Sequence, residues 1–363
     1  MTDALKTLGA KGMEQFQALQ DEAVQAVTAR FYAAYAPVYE KFGERGRQAT
    51  REDLSFHLEF LRPVLEFGLV QSMVDYLRWL DSVLVARGVP GDHLSLSLDW
   101  LAEFFEGRME HDDGAVVAAA LRSVRELFLA TIAEPVRVAK PPEPWPEAAE
   151  FEAALLSGNH GSALNQINSA IDKGHSLIDF ELHVIQPALY EIGSKWQMNR
   201  VSVAKEHLAT AIAQSVMTAG LLRARPARSN GKRILLACVE GNHHAVGLRM
   251  VADAFLLEGW EVQYLGPNVP IRSLVQQIEE WKPELLGLSA SFPQQIRVAK
   301  EIIEILRLKL GNRRPAVIVG GLAINQFNRL AAVVGADAWS PDAREAVARA
   351  SQIVAARGPN DTV

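Results

Sequence analysis

Two short stretches carry residue types suited to chemistry. In "SVAKEHLATA" an acid and a base, Glu206 and His207, stand side by side. Ser202 can cap a helix there, and Val203, Ala204, Leu208 and Ala211 can line one of its faces. In "EGNHHAVGLRM" the spacing is Asn242-x-His244-x-x-Gly247. An imidazole at a loop tip can ligate a metal carried by a cofactor. Alone, each has an ordinary reading as solvated surface, so the elements that position them decide.

From about residue 232 apolar runs alternate with amphipathic helices. "RILLACV", "WEVQYLG", "LLGLSAS", "AVIVGG" and "ADAWS" read as five strands, with a helix between each pair. This pattern predicts a doubly wound parallel α/β sheet, whose ligands bind in the loops at the carboxyl ends of the strands. The His244 stretch follows the first strand directly. No glycine-rich phosphate loop is present, which disfavours a dinucleotide. The single thiol, Cys238, lies within the first strand and reads as a buried, inert residue.

Residues 148–224 read as four amphipathic helices with short joins, a four-helix bundle that carries Glu206 and His207. Residues 1–135 are helical in pattern throughout, with no β-branched runs bounded by turns. Between them, residues 136–147 form a proline-rich, semi-rigid linker. The predicted organisation is therefore an all-α domain over 1–135, a linker, a bundle over 148–224 and an α/β domain over 232–355.

Apolar residues make up 49% of the 363, enough for full cores. A net charge of -6 argues against nonspecific nucleic-acid binding. The amino terminus lacks the apolar core of a signal peptide, and no run is long enough to span a bilayer, so a cytoplasmic protein is expected.

The last segment resembles the cobalamin-binding domain family. That family's pattern is an acid, any residue, His, two residues and Gly, then Ser-x-Ser or Ser-x-Leu after the third strand and Gly-Gly after the fourth. This chain has His244 and Gly247, then Ser289 and Ser291, then Gly320 and Gly321. The resemblance implies that His244 ligates cobalt from below and that the nucleotide tail passes the serines and glycines. Asn242 stands where the family has a carboxylate, so a less electron-rich cobalt ligand is expected. Glu240 is nearby but off the motif position.

The bundle resembles that of the adenosylcobalamin-binding light-regulated repressors, through Trp196, nine intervening residues and Glu206-His207. In that family these residues contact the adenosyl group. A His that follows the Trp there is Gln197 here, so His160, His175 or His183 would have to take its part after photolysis. The whole arrangement resembles the photocobilins, in which a globin-like, bilin-binding helical region accompanies the cobalamin module. By that resemblance His57, Arg62, Tyr76, Arg78 and Trp79 are candidates to hold biliverdin noncovalently.

The expected function is a light sensor, not an enzyme, that uses adenosylcobalamin and biliverdin. It is expected to signal through a homo-oligomeric (dimeric) state or a separate partner, with no DNA reader and no membrane. The alternatives are a corrinoid methyl-carrier subunit of a methyltransferase, and a heme globin with His57 on iron.

Overall fold

The computed structural model describes residues 6–133, 142–327 and 330–356. Pro141 of the expected linker lies outside them, while Pro142, Pro144 and Pro146 lead directly into the helix Glu147–Leu156. The chain divides into two compact units, 1–137 and 138–363.

The first unit is helical throughout its described residues. Its longer helices are Gln20–Ala34, Gly43–Phe67, Val70–Val85, Asp92–Arg108 and His111–Thr131. Leu61, Leu65, Leu98, Leu121 and Phe128 form its core, with Phe16 against Phe105 at 5.0 Å between ring centroids. Gly68, left-handed at φ 66°, ends Gly43–Phe67 by returning its N–H to the Val64 carbonyl.

His57 is enclosed in this core, its Nδ1 3.0 Å from the Tyr76 hydroxyl. Desolvation pushes its pKa down to about 3. The unfolded chain binds a proton near the ordinary imidazole value and the folded unit does not. Stability should therefore be complete above about pH 6.5 and fall on acidification at about 1.4 kcal/mol per unit. Acid unfolding followed by circular dichroism should show this slope reduced in His57→Gln; an equal slope in the variant would remove His57 as its source.

The second unit joins a helical bundle to a sheet. Glu147–Leu156, His160–Asp172, Leu177–Phe180 continuing through Gln186–Gln197, and Val203–Arg223 pack around Phe151, Ile167, Phe180, Val216 and Met217. That core runs on into Met250, Ala254 and Ala343 of the sheet's own helices, so bundle and sheet share one interior. Gly220 lets two helices close: a Cβ there would lie 2.5 Å from Ile167 Cδ1.

The face of Val203–Arg223 expected from Val203, Ala204, Leu208 and Ala211 is in fact exposed. The helix packs through Ala209, Ile212, Ala213, Val216, Met217 and Gly220 instead. Small apolar residues surround much of this helix, so helical spacing fits more than one face and tertiary packing chose among them.

The sheet is parallel, with β1 Arg233–Val239, β2 Glu261–Val269, β3 Leu285–Ser289, β4 Ala316–Gly320 and β5 Ala338–Trp339 in the order β2-β1-β3-β4-β5. β1, between two strands and under helices, is buried along almost its whole length, as its continuous apolar run requires. β2 outruns its apolar stretch by irregular pairing with β1, aided by positive φ at Gly266 and Asn268. The order reverses between β1 and β3, the place where such sheets open a crevice. Cys238, Ser289 and Gly320 align across β1, β3 and β4, so the three following loops open at one edge.

Candidate functional site

The loop after β1 is built around Asn242, which is fully buried. Its Nδ2 donates to the Ser289 carbonyl at 2.9 Å, and its Oδ1 accepts the His244 backbone N–H at 3.1 Å. The side chain thus ties the β1 loop to β3 and shapes the turn before His244; these bonds go to backbone, not to the imidazole. An ionised Asp at 242 would set a carboxylate oxygen against the Ser289 carbonyl. Asn242→Asp is expected to cost ~1–3 kcal/mol in urea denaturation despite matching the family residue. An unchanged or raised midpoint would contradict this reading of the turn.

His244 is solvent-accessible, with its ring edge-on to Phe292 at 5.1 Å. Desolvation lowers its pKa, while the carboxylate of Glu206 acts in the opposite direction and His243 adds to the lowering. The net effect favours the neutral imidazole, the form that binds metals. The carboxylate of Glu206 thus lies within electrostatic reach of the His244 ring. Cys238 is buried behind the loop, its Sγ 3.7 Å from the His244 carbonyl and its pKa pushed up to about 11, so it is an inert thiol as expected.

On the bundle, Glu206 is held from two sides. His207 Nδ1 lies 2.5 Å from one carboxylate oxygen, and Thr210 Oγ1 donates to the other at 3.0 Å. His207 itself projects into solvent. The helix begins as its sequence predicts, with the Ser202 hydroxyl accepting the Lys205 N–H at 3.3 Å. Trp196 ends the preceding helix, half-buried against the bundle core. Of the other histidines considered as cobalt ligands, His160 meets Ser215 at 3.0 Å, and His175 and His183 pack on Trp145.

Ser289 and Ser291 are nearly buried at the end of β3. Gly321 has φ +93° and passes so close to Ala290 that a Cβ would lie 2.4 Å from its carbonyl oxygen. Gly247 is different. Its φ is ordinary and nothing lies within 4 Å of where a Cβ would be. Neither backbone conformation nor packing demands glycine there, which suits a surface that a ligand approaches closely.

Several positions carried no sequence signal. Gln295, 5% exposed, accepts from the Ser291 and Phe292 N–H groups at 2.8 and 3.1 Å and donates to the Gly241 carbonyl at 2.9 Å. Asn268 of β2 accepts the Gly241 N–H at 2.8 Å and donates its own N–H to the Asn242 carbonyl. Both are polar residues of common type, and only the folded loops reveal that they brace the rim.

The five candidates in the first unit are buried or half-buried among partners of their own. His57 and Tyr76 bond each other, Phe60 stacks on Tyr76 at 3.8 Å, and Arg78 is buried with Asp75 at 3.7 Å. Arg62 pairs with Glu66 at 2.8 Å. Trp79 packs 6.2 Å from Tyr76.

A neutral imidazole on a loop tip, an unobstructed glycine three residues on, and buried hydroxyls beside it suit a large metal-bearing cofactor. Residues 232–349 match the B12 binding domain model, and residues 147–219 match a second B12 binding domain model. The chain is 30% identical over 210 residues to dimethylamine corrinoid protein 2 of Methanosarcina acetivorans, covering 53% of this chain and 95% of that one. It is 26% identical over 250 residues to the HTH-type transcriptional repressor CarA of Myxococcus xanthus, covering 68% and 79%. The solved monomethylamine corrinoid protein of Methanosarcina barkeri aligns at TM-score 0.49 and 19% identity, over 56% of this chain and 96% of that one. Among the described residues no helix is long and apolar enough to cross a membrane.

Proposed function

The chain belongs to the family of B12-binding-domain proteins, and from that premise we propose that it is a light sensor whose cofactor is adenosylcobalamin. Cobalamin binding follows from the family. His244 would hold the cobalt, and Trp196, Glu206 and His207 would contact the cofactor's adenosyl group. The observation that carries this reading is the placement of Glu206, fixed by His207 and Thr210 and within electrostatic reach of His244. An adenosyl group offers these residues a ring face and hydrogen-bonding partners, whereas a methyl group offers neither.

When bound, adenosylcobalamin supplies a cobalt–carbon bond that light can break. The chain's part is to bind the upper ligand in the dark and to lose that contact when the ligand departs. Glu206 and His207 then exchange a ligand for water, and the bundle loses a reason to stay over the loop. The output is a change in oligomeric state or in the hold on a separate partner. Similarity to a transcriptional repressor over 68% of this chain supports a regulatory role.

Biliverdin in the first unit, a globin-like domain on this reading, extends the proposal. The sole thiol, Cys238, is buried in the sheet, which supports noncovalent attachment. His57, Arg62, Tyr76 and Arg78 are its candidate contacts. A second reading, a corrinoid methyl carrier for a methyltransferase, is favoured by the 30% identity to a dimethylamine corrinoid protein.

Absorption spectra of the full chain with adenosylcobalamin, methylcobalamin and biliverdin, before and after illumination, test all of this. Adenosylcobalamin should bind more tightly by about 10- to 100-fold, the worth of one or two buried polar contacts. Light should alter its spectrum together with the elution volume. Equal affinities for the two cobalamins would reject the sensor in favour of the methyl carrier. Biliverdin that leaves the bound-state spectrum unchanged would reject the bilin site.

A further inference from the structure

Glu181 is completely enclosed where the bundle meets the helices of the sheet. It opens a π-helical turn, Glu181–Ile185, a feature that often marks a functional position. Asp253, equally buried, lies on Val246–Leu257, the helix that leaves the His244 loop and whose Met250 and Ala254 share one core with Phe180 and Leu182 on either side of Glu181. Arg249 pairs with one of the two acids: its Nε meets Asp253 Oδ1 at 2.8 Å. Among the described residues, no nitrogen or hydroxyl donor satisfies either Glu181 oxygen or Asp253 Oδ2.

Other charged and titratable groups around this place are engaged elsewhere. The Tyr264 hydroxyl of β2 donates to the Ala245 carbonyl at 3.2 Å. Asp179 pairs with Arg344, Glu152 with Lys195, and Asp172 with Arg223. His183, on the same turn, meets the Glu143 carbonyl at 2.7 Å. Two carboxylates and one guanidinium would leave a negative charge uncompensated in a dry interior, which is costly. A single proton between the acids removes that charge and supplies the missing donor.

We propose that Glu181 is held as a neutral carboxylic acid whose O–H donates to Asp253, and that this shared proton positions the bundle's Trp196, Glu206 and His207 over the His244 loop. The second half of the statement rests on the cobalamin reading; the first does not. Burial pushes the Glu181 pKa well above the ordinary carboxylate value, and the Asp253 charge adds to the rise. Burial raises the Asp253 pKa as well, but Arg249 and the hydrogen bond from Glu181 act against that rise, so the proton stays on Glu181, which lacks such a partner. Above its ordinary value the detached or unfolded chain releases this proton while the packed form retains it. The seam is therefore strongest at low pH and weakens as pH rises towards the raised native value.

The test uses the full chain. Infrared spectroscopy should find a protonated-carboxyl C=O stretch at neutral pH that is missing in Glu181→Gln. Amide exchange in residues 177–185, referenced to β1 at each pH, should lose protection in the wild type by up to about tenfold per pH unit between the ordinary carboxylate value and the raised native value, and level off above it. Glu181→Gln, neutral and still able to donate to Asp253, should keep protection at every pH. Glu181→Ala should lose it at every pH. An unchanged C=O band in Glu181→Gln, or a wild-type seam indifferent to pH, overturns the proposal; the latter needs no variant to fold. Cobalamin affinity measured in the same samples should fall with seam protection. PH-dependent protection without any cobalamin binding would reject the cobalamin reading and leave the proton-sharing pair standing.

Discussion

His244→Ala should strip bound cobalt(II) of its protein nitrogen coupling in electron paramagnetic resonance and weaken cobalamin binding by more than roughly a hundredfold. That loss exceeds the ~10–100-fold typical when only a residue behind a metal ligand is removed. The variant should fold normally, since the ring is solvent-accessible and meets Phe292 only edge-on at 5.1 Å. The pH dependence has a defined sign. Desolvation lowers the His244 pKa, so the neutral ring, and with it ligation, should persist somewhat below the ordinary imidazole value before protonation displaces it. Nitrogen coupling that survives in His244→Ala would assign the lower ligand elsewhere.

The second large effect concerns the fold of the crevice itself. Gly321 has φ +93° and ψ 170°, a region that only glycine occupies readily. Its Cα also crosses the end of β3, where a Cβ would lie 2.4 Å from the Ala290 carbonyl oxygen and 2.9 Å from the Ala290 nitrogen. Those atoms are backbone and have little room to yield, because Ala290 N–H bonds to Gly320 and the Ala290 carbonyl accepts from Ala323. Gly321→Ala should therefore destabilise the second unit by roughly 3 kcal/mol or more. Gly247→Ala, with open space around the same atom, should leave stability unchanged and reduce cobalamin affinity. Equal denaturation midpoints for wild type and Gly321→Ala would mean that the β3 and β4 ends are not held as described.

Much of the architecture was legible because its periodicities are strong. "RILLACV" has no polar interruption and is buried along almost its whole length. Its four companions alternate with helices in a way that only a parallel sheet satisfies. Ser202 at the start of Val203–Arg223 was legible as well, because a cap is a local bond between residues three apart. The packed face of that same helix was not. Alanine and leucine occur around most of its circumference, and the wrong stripe was the natural reading.

Residue types and spacing alone determined that a histidine would stand on the loop after the first strand, and that serines and glycines would end the third and fourth respectively. They also determined that an acid-base pair would lie on a helix beginning at Ser202. Only the tertiary structure decided that Asn242 braces backbone rather than the imidazole, and that Gln295 and Asn268 hold the rim. It alone set Glu206 within electrostatic reach of His244, and enclosed His57 with Tyr76 in the first unit. It alone brought Glu181 and Asp253, 72 positions apart in the numbering, into one buried pair. The physical reason is range. Strand burial, helix caps and turn glycines are set by neighbours within a few residues, which the chain displays in order. Hydrogen bonds and charges act through space, and their partners are fixed only when remote segments pack into one core.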